Sequence, residues 1–290
     1  GYIDSALIIE GSNDKILNLN DCPLNDIDEI EKFKKEHGKF DLLLTQFSYA
    51  AWKGNEDNKE YRENAAADKL KTLTNQYNIL ECKKVIPFAS FIYFSNNLNK
   101  FMNDQINKPH LFQESLKSKI DSIILAPGEE QNISDLVQKQ ESLDFWKNKY
   151  NTINNLPLDT YDKSIDFDTL QSEYKKYKNK ILKINSKLLI YLSSKIKFFK
   201  FFQKINIFLI DHKKYYDFSL IGGFNESKNT SADIAMHSES LLFIFKNDFG
   251  YDTLTVNGCF NASKEGFIKT TRSFAIGSLN SMGLKLNLGL

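Results

Sequence analysis

An acidic residue at the end of a predicted strand is the first candidate for chemistry in this sequence. Two apolar runs, residues 5–10 and 16–20, flank the turn-forming sequence Gly11-Ser-Asn-Asp14, and the second run leads into Asp21. This pattern predicts a β-hairpin that stops after Asp21, because Pro23 cannot donate to a ladder. A strand holds such a carboxylate rigidly, which suits a functional group. The alternative is that Asp21 only caps the helix that follows.

The histidines form no recognisable metal pair. No two of the four stand at His-x-His or His-x-x-x-His spacing; they are His37, His110, His212 and His237. His37 falls in the last turn of a predicted helix, where a cation suits the helix dipole. His237 is the better functional candidate, because it ends a predicted strand beside Ser238, although helix capping or packing is the commoner role. Asp211 and His212 could act as a base and its orienting group only if the chain folds back on itself.

Other catalytic and compartment signals are few. The 290 residues contain no GxGxxG, Walker or GxSxG motif. A net charge of +1 gives no reason to expect nucleic acid as a partner. No run of 18 apolar residues exists, so no membrane partner is predicted. Three cysteines without a CxxC pair are typical of a reducing compartment, and a cytoplasmic location is predicted; they are Cys22, Cys82 and Cys259.

The predicted elements alternate between strand and helix in the first part of the chain. Asn25 can cap a helix that Gly38 closes, and residues 40–45 form a short buried strand, so the order is that of a βαβ unit. Later elements are a helix over 60–77, then a strand within 84–95 that Pro87 interrupts and that enters a loop or short helix. Another buried strand is predicted over 122–128. We therefore expect an α/β (α+β) fold.

Polar composition over residues 129–163 marks the best candidate boundary, and we predict two parts, 1–158 and 159–290. Apolar residues then recur at steps of three and four, which predicts one long amphipathic helix from Asp166 or Asp168 to about Phe202. A stripe of this kind more often packs in a core than binds a ligand. The remaining predictions are strands over 205–211, 215–222 and 233–237 and a helix over 238–246.

Several stretches resemble the later half of metallo-β-lactamase-fold proteins, closest to the CMP-N-acetylneuraminate hydroxylase-like branch. They are Ser5-Ala-Leu-Ile-Ile-Glu10 followed by Leu17-Asn-Leu-Asn-Asp-Cys22, residues 40–52, residues 87–95 with Asn99 and Asn103, and residues 248–258. The resemblance implies part of an αββα sandwich, here the later half of its core over 1–158, followed by a long helix and a small α/β extension over 159–290. It also implies a dinuclear zinc or iron site, with Asp21 as a metal ligand, and a small polar substrate.

The family's His-x-His-x-Asp-His motif is absent from the sequence, and residues 46–48 offer no histidine either. The chain starts at Gly1 and enters a strand almost at once, so we expect it to be the later part of a longer polypeptide whose missing N-terminal segment carries that motif.

Three functional hypotheses follow. The first is the C-terminal portion of a metal-dependent hydrolase or oxygenase, which as given binds no metal by itself. The second is a non-catalytic binding or scaffold protein, in which the long helix and the following sheet form an interaction surface. The third makes the segment after about Asp159 a separate small-molecule-binding module.

Overall fold

The computed structural model describes residues 5–116, 118–196 and 201–287. The chain divides into two compact units. The first comprises Gly1–Ala50, Lys59–Tyr93 and Met102–Pro157, and the second comprises Ala51–Asn58, Phe94–Phe101 and Leu158–Leu290. Helices and mixed sheets occur in both, which confirms the α+β class.

A four-stranded sheet organises the first unit. Its strands, in spatial order, are β1 (Leu7–Glu10), β2 (Lys15–Asn20), β3 (Leu42–Gln46) and β4 (Lys84–Ala89). The first two strands form the predicted antiparallel hairpin, and the others continue in parallel. The helices of this unit are α1 (Ile27–His37), α2 (Lys59–Ile79), α3 (Pro109–Leu116) and α4 (Gln140–Thr152). The parallel strands need crossover connections, which α1 and α2 supply.

Local sequence signals explain α1. Asp26 caps it, because its carboxylate accepts hydrogen bonds from the backbone N–H groups of Asp28 and Glu29. Gly38, at φ 79°, ends it, as expected for a residue without a Cβ. Its buried Ile30 packs in a core with residues from β2, β3 and α2, including Leu17, Leu43 and Leu73.

The predicted strand over 122–128 is wrong. Only one isolated bridge, between Val85 and Ser122, joins this segment to β4. Beyond this bridge, the side chain of Gln138 forms the hydrogen bonds of the Ile124 backbone. Its Oε1 accepts from the N–H of Ile124 at 2.7 Å, and its Nε2 donates to the Ile124 carbonyl at 3.1 Å. Because an amide side chain satisfies this backbone, no ladder continues beyond the bridge.

The polar segment over 129–163 is largely structured. It contains α4, whose Trp146 donates its indole N–H to the Leu125 carbonyl at 2.9 Å and stacks on Phe91 with ring centres 4.4 Å apart. Its polar composition reflects the exposed face of α4, where Gln140, Glu141 and other polar residues meet solvent.

A five-stranded sheet organises the second unit. Its strands, in spatial order, are β7 (Gly223–Glu226), β6 (Lys214–Ser219), β5 (Ile205–Leu209), β8 (Ile234–Met236) and β9 (Phe260–Ala262). Only β5 and β8 run in parallel; the other neighbours are antiparallel. The helices are α5 (Phe167–Ile184), α6 (Lys187–Lys195), α7 (Ser238–Lys246), α8 (Gly250–Asn257) and α9 (Lys264–Ser281).

Aromatic residues fill the core of the second unit. Tyr174 and Tyr177 on α5 contact Phe245 on α7, and Phe218 on β6 stacks on Phe274 of α9 with ring centres 4.5 Å apart. The part of the predicted stripe that lies on α5 is therefore core packing, as expected, whereas its last members, Leu188 and Tyr191, are exposed on α6. Neither unit, as far as its residues are described, holds a helix with the length and apolar character needed to cross a membrane.

Candidate functional site

The long helix predicted from Asp166 to Phe202 is interrupted after Ile184. Asn185 adopts an extended backbone conformation, and its N–H and side-chain amide both donate to the carbonyl of Ile181. Ser186 then caps the new helix α6 by accepting from the N–H of Leu189. Asn and Ser favour caps over helix interiors because their short side chains compete for backbone hydrogen bonds. Residues 197–200 of the predicted helix lie outside the described residues.

An asparagine pair fixes this interruption. Asn185 donates to Oδ1 of Asn280 on α9 at 2.7 Å, and Asn280 donates back to Oδ1 of Asn185 at 3.1 Å. The C-terminal segment is bound to the same pair: the N–H of Leu286 donates to Asn185 at 2.8 Å, and Asn280 donates to the Leu284 carbonyl at 2.7 Å. These hydrogen bonds hold α5, α9 and the segment after α9 together.

A cavity of about 470 Å³ lies beside this asparagine pair. Its lining is mostly apolar: Ile196, Phe201, Phe202, Ile276, Leu279, Leu284 and Leu286, with Asn185, Ser193, Asn280 and Lys285. Both asparagine amides are already engaged with each other and with the backbone, so the lining offers a ligand mainly hydrocarbon, with Ser193 and Lys285 as the remaining polar residues. A volume of 300–1,000 Å³ with apolar walls and few polar groups is typical of small-molecule sites.

Basic residues are frequent in the segments that build the cavity. Residues 174–210, which include α6 and the first described residues after it, contain ten lysines and no Asp or Glu. Residues 266–290 contain Lys269, Arg272 and Lys285 and again no acid. The guanidinium of Arg272 lies 5.6 Å from the ring centre of Phe201 in the cavity wall. Several of the lysines in these segments are paired with acids, namely Lys180 with Asp248, Lys204 with Asp217 and Lys269 with Asp233. Lys285 is the cation of the lining that favours an anionic group.

A second cluster gathers polar residues at the carboxyl ends of β5 and β8. Because these strands run in parallel, Asp211 and His237 reach the same edge of the sheet. The side chain of Asp211 is 11% exposed, and its Oδ2 accepts hydrogen bonds from the hydroxyls of Ser164 and Ser238, each at 2.6 Å. Its Oδ1 accepts from the N–H of Ser238 at 3.0 Å.

Both neighbouring histidines are engaged elsewhere. Their Nε2 atoms lie 3.7 Å (His212) and 3.8 Å (His237) from Oδ2 of Asp211, beyond hydrogen-bond distance. His212 bonds through Nε2 to the carbonyl of Ile165 and through Nδ1 to the hydroxyl of Tyr216. A carbonyl only accepts, so Nε2 of His212 carries the proton. His237 caps α7 by accepting from the N–H of Glu239 at 3.3 Å.

This cluster therefore stabilises the start of α7. The hydroxyls of Ser164 and Ser238 donate to the Asp211 carboxylate, and no described hydrogen bond joins either serine to a histidine. Burial raises the pKa of Asp211, and the hydrogen bonds from Ser164 and Ser238 outweigh burial, so that the pKa lies below the ordinary 3.8. A carboxylate that stays ionised is suited to anchoring a helix N-terminus.

Asp21 lies where the sequence places it, directly after β2. It is exposed, and its Oδ1 accepts from the side chain of Asn20 at 2.9 Å. It does not cap α1, since Asp26 does so; the prediction that Asn25 is the cap is therefore off by one residue. At the same edge of the first sheet, Gln46 at the end of β3 accepts from the ammonium of Lys69.

The described residues alone do not fit a dinuclear metal. Nowhere in the described part of the chain do three or more His, Cys, Asp or Glu side chains come close enough to hold a metal ion. His37 ends α1, with its ring 4.5 Å from that of Phe33. His110 is buried in α3, and burial lowers its pKa. We therefore derive no reaction step through a metal.

The cavity is the feature that the sequence did not reveal. Its residues come from three separate segments, and the sequence predicts no element for the two that follow residue 275. The signal was present as Asn185-Ser186 inside an otherwise periodic helix, followed by an apolar run rich in lysine. Comparisons of the chain with protein-family models, curated proteins and solved structures found no match.

Proposed function

We propose that the second unit binds an anionic, single-chain amphiphile such as a long-chain fatty acid. The observation that carries this proposal is the 470 Å³ cavity, with seven apolar side chains and Lys285 in its lining. This function develops the hypothesis that the segment after about Asp159 is a small-molecule-binding module.

The lining selects a hydrocarbon chain over a polar molecule. A sugar or nucleotide would need hydrogen-bond partners, and the amides of Asn185 and Asn280 are already paired. An alkyl chain needs none, and its transfer from water is favourable in proportion to the apolar area it buries. The ammonium of Lys285 supports an anionic head group, while Lys183 and Lys187 flank the helix interruption in sequence.

The proposal is tested by titrating the full chain with a fluorescent fatty acid, cis-parinaric acid, and displacing it with palmitate. Leu279→Trp adds bulk inside the cavity and is expected to weaken binding by about tenfold or more, because the chain loses its space. The control Val256→Trp changes an exposed apolar residue of α8 outside the lining. The proposal fails if the unchanged protein does not bind the probe or if both variants bind it equally.

The head group is tested separately. Lys285→Glu is expected to weaken palmitate binding by about three- to tenfold and to leave hexadecanol, which carries no charge, unaffected. Lys228→Glu makes the same charge change at an exposed site outside the lining. Equal loss in both lysine variants would show a general charge effect and contradict a specific contact with Lys285.

A second candidate function concerns the first unit. We propose that it is the later part of a metal-dependent hydrolase or oxygenase in which Asp21 is one metal ligand. Supporting this are the exposed position of Asp21 at the end of β2 and the parallel strands β2, β3 and β4, whose carboxyl ends share one edge. Since the described residues form no metal site, the other ligands would lie outside them.

Metal analysis of the full-length gene product tests this candidate. Two metals per chain are expected in the unchanged protein, with clear loss in Asp21→Ala. The matched control is Asp28→Ala, an exposed carboxylate in the first turn of α1. Absence of metal in the unchanged protein would end the metal-dependent hypothesis. Metal that survives in Asp21→Ala would show that Asp21 is not a ligand.

A further inference from the structure

The outer face of α6 is apolar and exposed. Leu188, Tyr191, Leu192 and Ile196 are 56%, 44%, 48% and 46% exposed, respectively. Leu188 lies three residues before Tyr191 and four before Leu192, which places them in one stripe along α6. Ile196 extends this stripe directly after the helix ends at Lys195. The helix is attached to its unit through the opposite side, where Ile190 is fully buried. Scattered apolar residues are normal on a surface, but a continuous stripe marks an interaction site.

This stripe is continuous with the cavity. Ile196 belongs to both, and three further lining residues, Phe201, Leu279 and Leu284, are also exposed by more than a third of their surface. A molecule that leaves the cavity on this side passes from one apolar surface directly to another.

Lysines surround the stripe. Lys187 and Lys195 stand at the two ends of α6, and the ammonium of Lys195 lies 5.3 Å from the ring centre of Tyr191. The nearest acidic residues in sequence are Glu173 and Asp211, on either side of a segment with ten lysines. Exposed apolar side chains with a lysine at each end of the helix match an interfacial helix that lies on an anionic bilayer.

We propose that the outer face of α6 lies on an anionic lipid bilayer and that the cavity exchanges its amphiphile with that bilayer. The exchange rests on the proposed function; the contact of α6 with lipid stands on its own evidence. The leucines enter the acyl boundary, and Lys187 and Lys195 meet the lipid phosphates. This contact lies in the plane of the interface and needs no membrane-spanning helix. The sequence alone predicts no membrane partner, so this proposal departs from that prediction.

Co-sedimentation of the full chain with vesicles tests the contact. Binding is expected with phosphatidylcholine vesicles that contain phosphatidylglycerol, and much less with phosphatidylcholine alone. The double variant Leu188→Gln/Leu192→Gln is expected to lower the partition coefficient by about tenfold or more. The control Phe243→Gln/Val256→Gln makes the same chemical change at residues of α7 and α8 with similar exposure.

The charge contribution has its own pair of variants. Lys187→Gln/Lys195→Gln is expected to weaken binding to anionic vesicles more than Lys228→Gln/Lys246→Gln does, and added salt is expected to weaken it further. Equal effects in the two pairs, or binding to neutral vesicles that matches binding to anionic ones, would overturn the proposal. The proposal would also be overturned if the unchanged protein does not bind vesicles and Leu188→Gln/Leu192→Gln changes its oligomeric state, because the stripe would then mediate self-association.

The proposal for the cavity and the proposal for the α6–bilayer contact can be refuted independently of each other. Leu279→Trp is expected to lose cis-parinaric acid and keep vesicle binding, whereas Leu188→Gln/Leu192→Gln is expected to keep the probe and lose vesicles. A protein that binds vesicles through α6 but never the probe would refute the amphiphile cavity and uphold the contact. A protein that binds the probe but no vesicles would refute the contact alone.

Discussion

Replacing Asp211 with alanine is expected to lower the free energy of unfolding of the second unit by about 3 kcal/mol. The carboxylate accepts three hydrogen bonds, from Ser164 and twice from Ser238, and Ser238 is fully buried. Hydrogen bonds to a charged group are worth about 1.5–3 kcal/mol each, and they are not additive within one cluster. The loss leaves buried donors at the start of α7 without partners.

Urea unfolding measures this effect. Trp52 reports on the second unit, because it stacks on both Phe260 and Phe267, whose ring centres are 4.9 and 4.7 Å away. A Trp146→Phe background removes the tryptophan of the first unit, so that the transition followed by fluorescence belongs to the second. Asp162→Ala, at an exposed position of the same unit, is expected to change stability by less than about 0.5 kcal/mol. If Asp211→Ala also lowers the free energy of unfolding by less than about 0.5 kcal/mol, the anchoring role of Asp211 is contradicted.

The contribution of Asp211 also depends on pH. Its pKa is lower in the folded state than the ordinary 3.8, so the ionised form stabilises the fold. The stabilisation is fully present above the unfolded-state pKa and is lost as the pH falls through the lower folded-state pKa. The second unit of the unchanged protein should therefore lose stability in this acidic range more steeply than Asp211→Ala does. Parallel curves for the two proteins would contradict the lowered pKa.

Local signals predicted much of the fold. The hairpin of β1 and β2 follows from two apolar runs around a turn, and α1 from an acidic first turn and a closing glycine. The helix α7 was likewise predicted with its observed bounds, Ser238–Lys246. Each of these depends on residues that are neighbours in sequence, which is why a single sequence reveals them.

The errors come from partners that are distant in sequence. Residues 122–128 read as a buried strand, but the amide of Gln138 satisfies the backbone of Ile124 in place of a neighbouring strand. The interruption after Ile184 is held by Asn280, 95 positions further along the chain. Neither contact produces a periodic pattern in the sequence, since a side-chain amide can form hydrogen bonds with any backbone group that the fold brings close to it.

The candidate sites likewise differ in how far local sequence could predict them. Asp21 directly follows β2, so the sequence could predict its position. Its role as a metal ligand stays a prediction. The cluster around Asp211 requires the parallel pairing of β5 and β8, which brings together residues that are distant in sequence. The cavity depends on how α6 leaves α5, and the apolar residues on both sides of Asn185 are equally consistent with a continuous helix.

The second large effect is expected in the first unit, at Asp104. The guanidinium of Arg62 on α2 is 1% exposed and forms two hydrogen bonds of 2.8 Å with the carboxylate of Asp104, which is 31% exposed. A two-point pair of this kind fixes geometry as well as charge. Asp104→Ala is expected to lower the free energy of unfolding of this unit by about 3 kcal/mol, because a buried cation loses its counter-ion. Fluorescence of Trp146 in a Trp52→Phe background follows the transition.

The ion pair is distinguished from simple loss of packing by a double-mutant cycle. Arg62→Met/Asp104→Ala removes the buried charge together with its partner, so it is expected to cost less than the sum of the two single variants, with a coupling of about 1 kcal/mol or more. Asp121→Ala is the matched control, since its carboxylate lies 3.4 Å from the ammonium of Lys84 and is 54% exposed, where an ion pair contributes little. Additive effects of Arg62→Met and Asp104→Ala would show that the two side chains stabilise the unit independently. A positive coupling would instead show that the ion pair itself helps to hold α2 against the segment that carries Asp104.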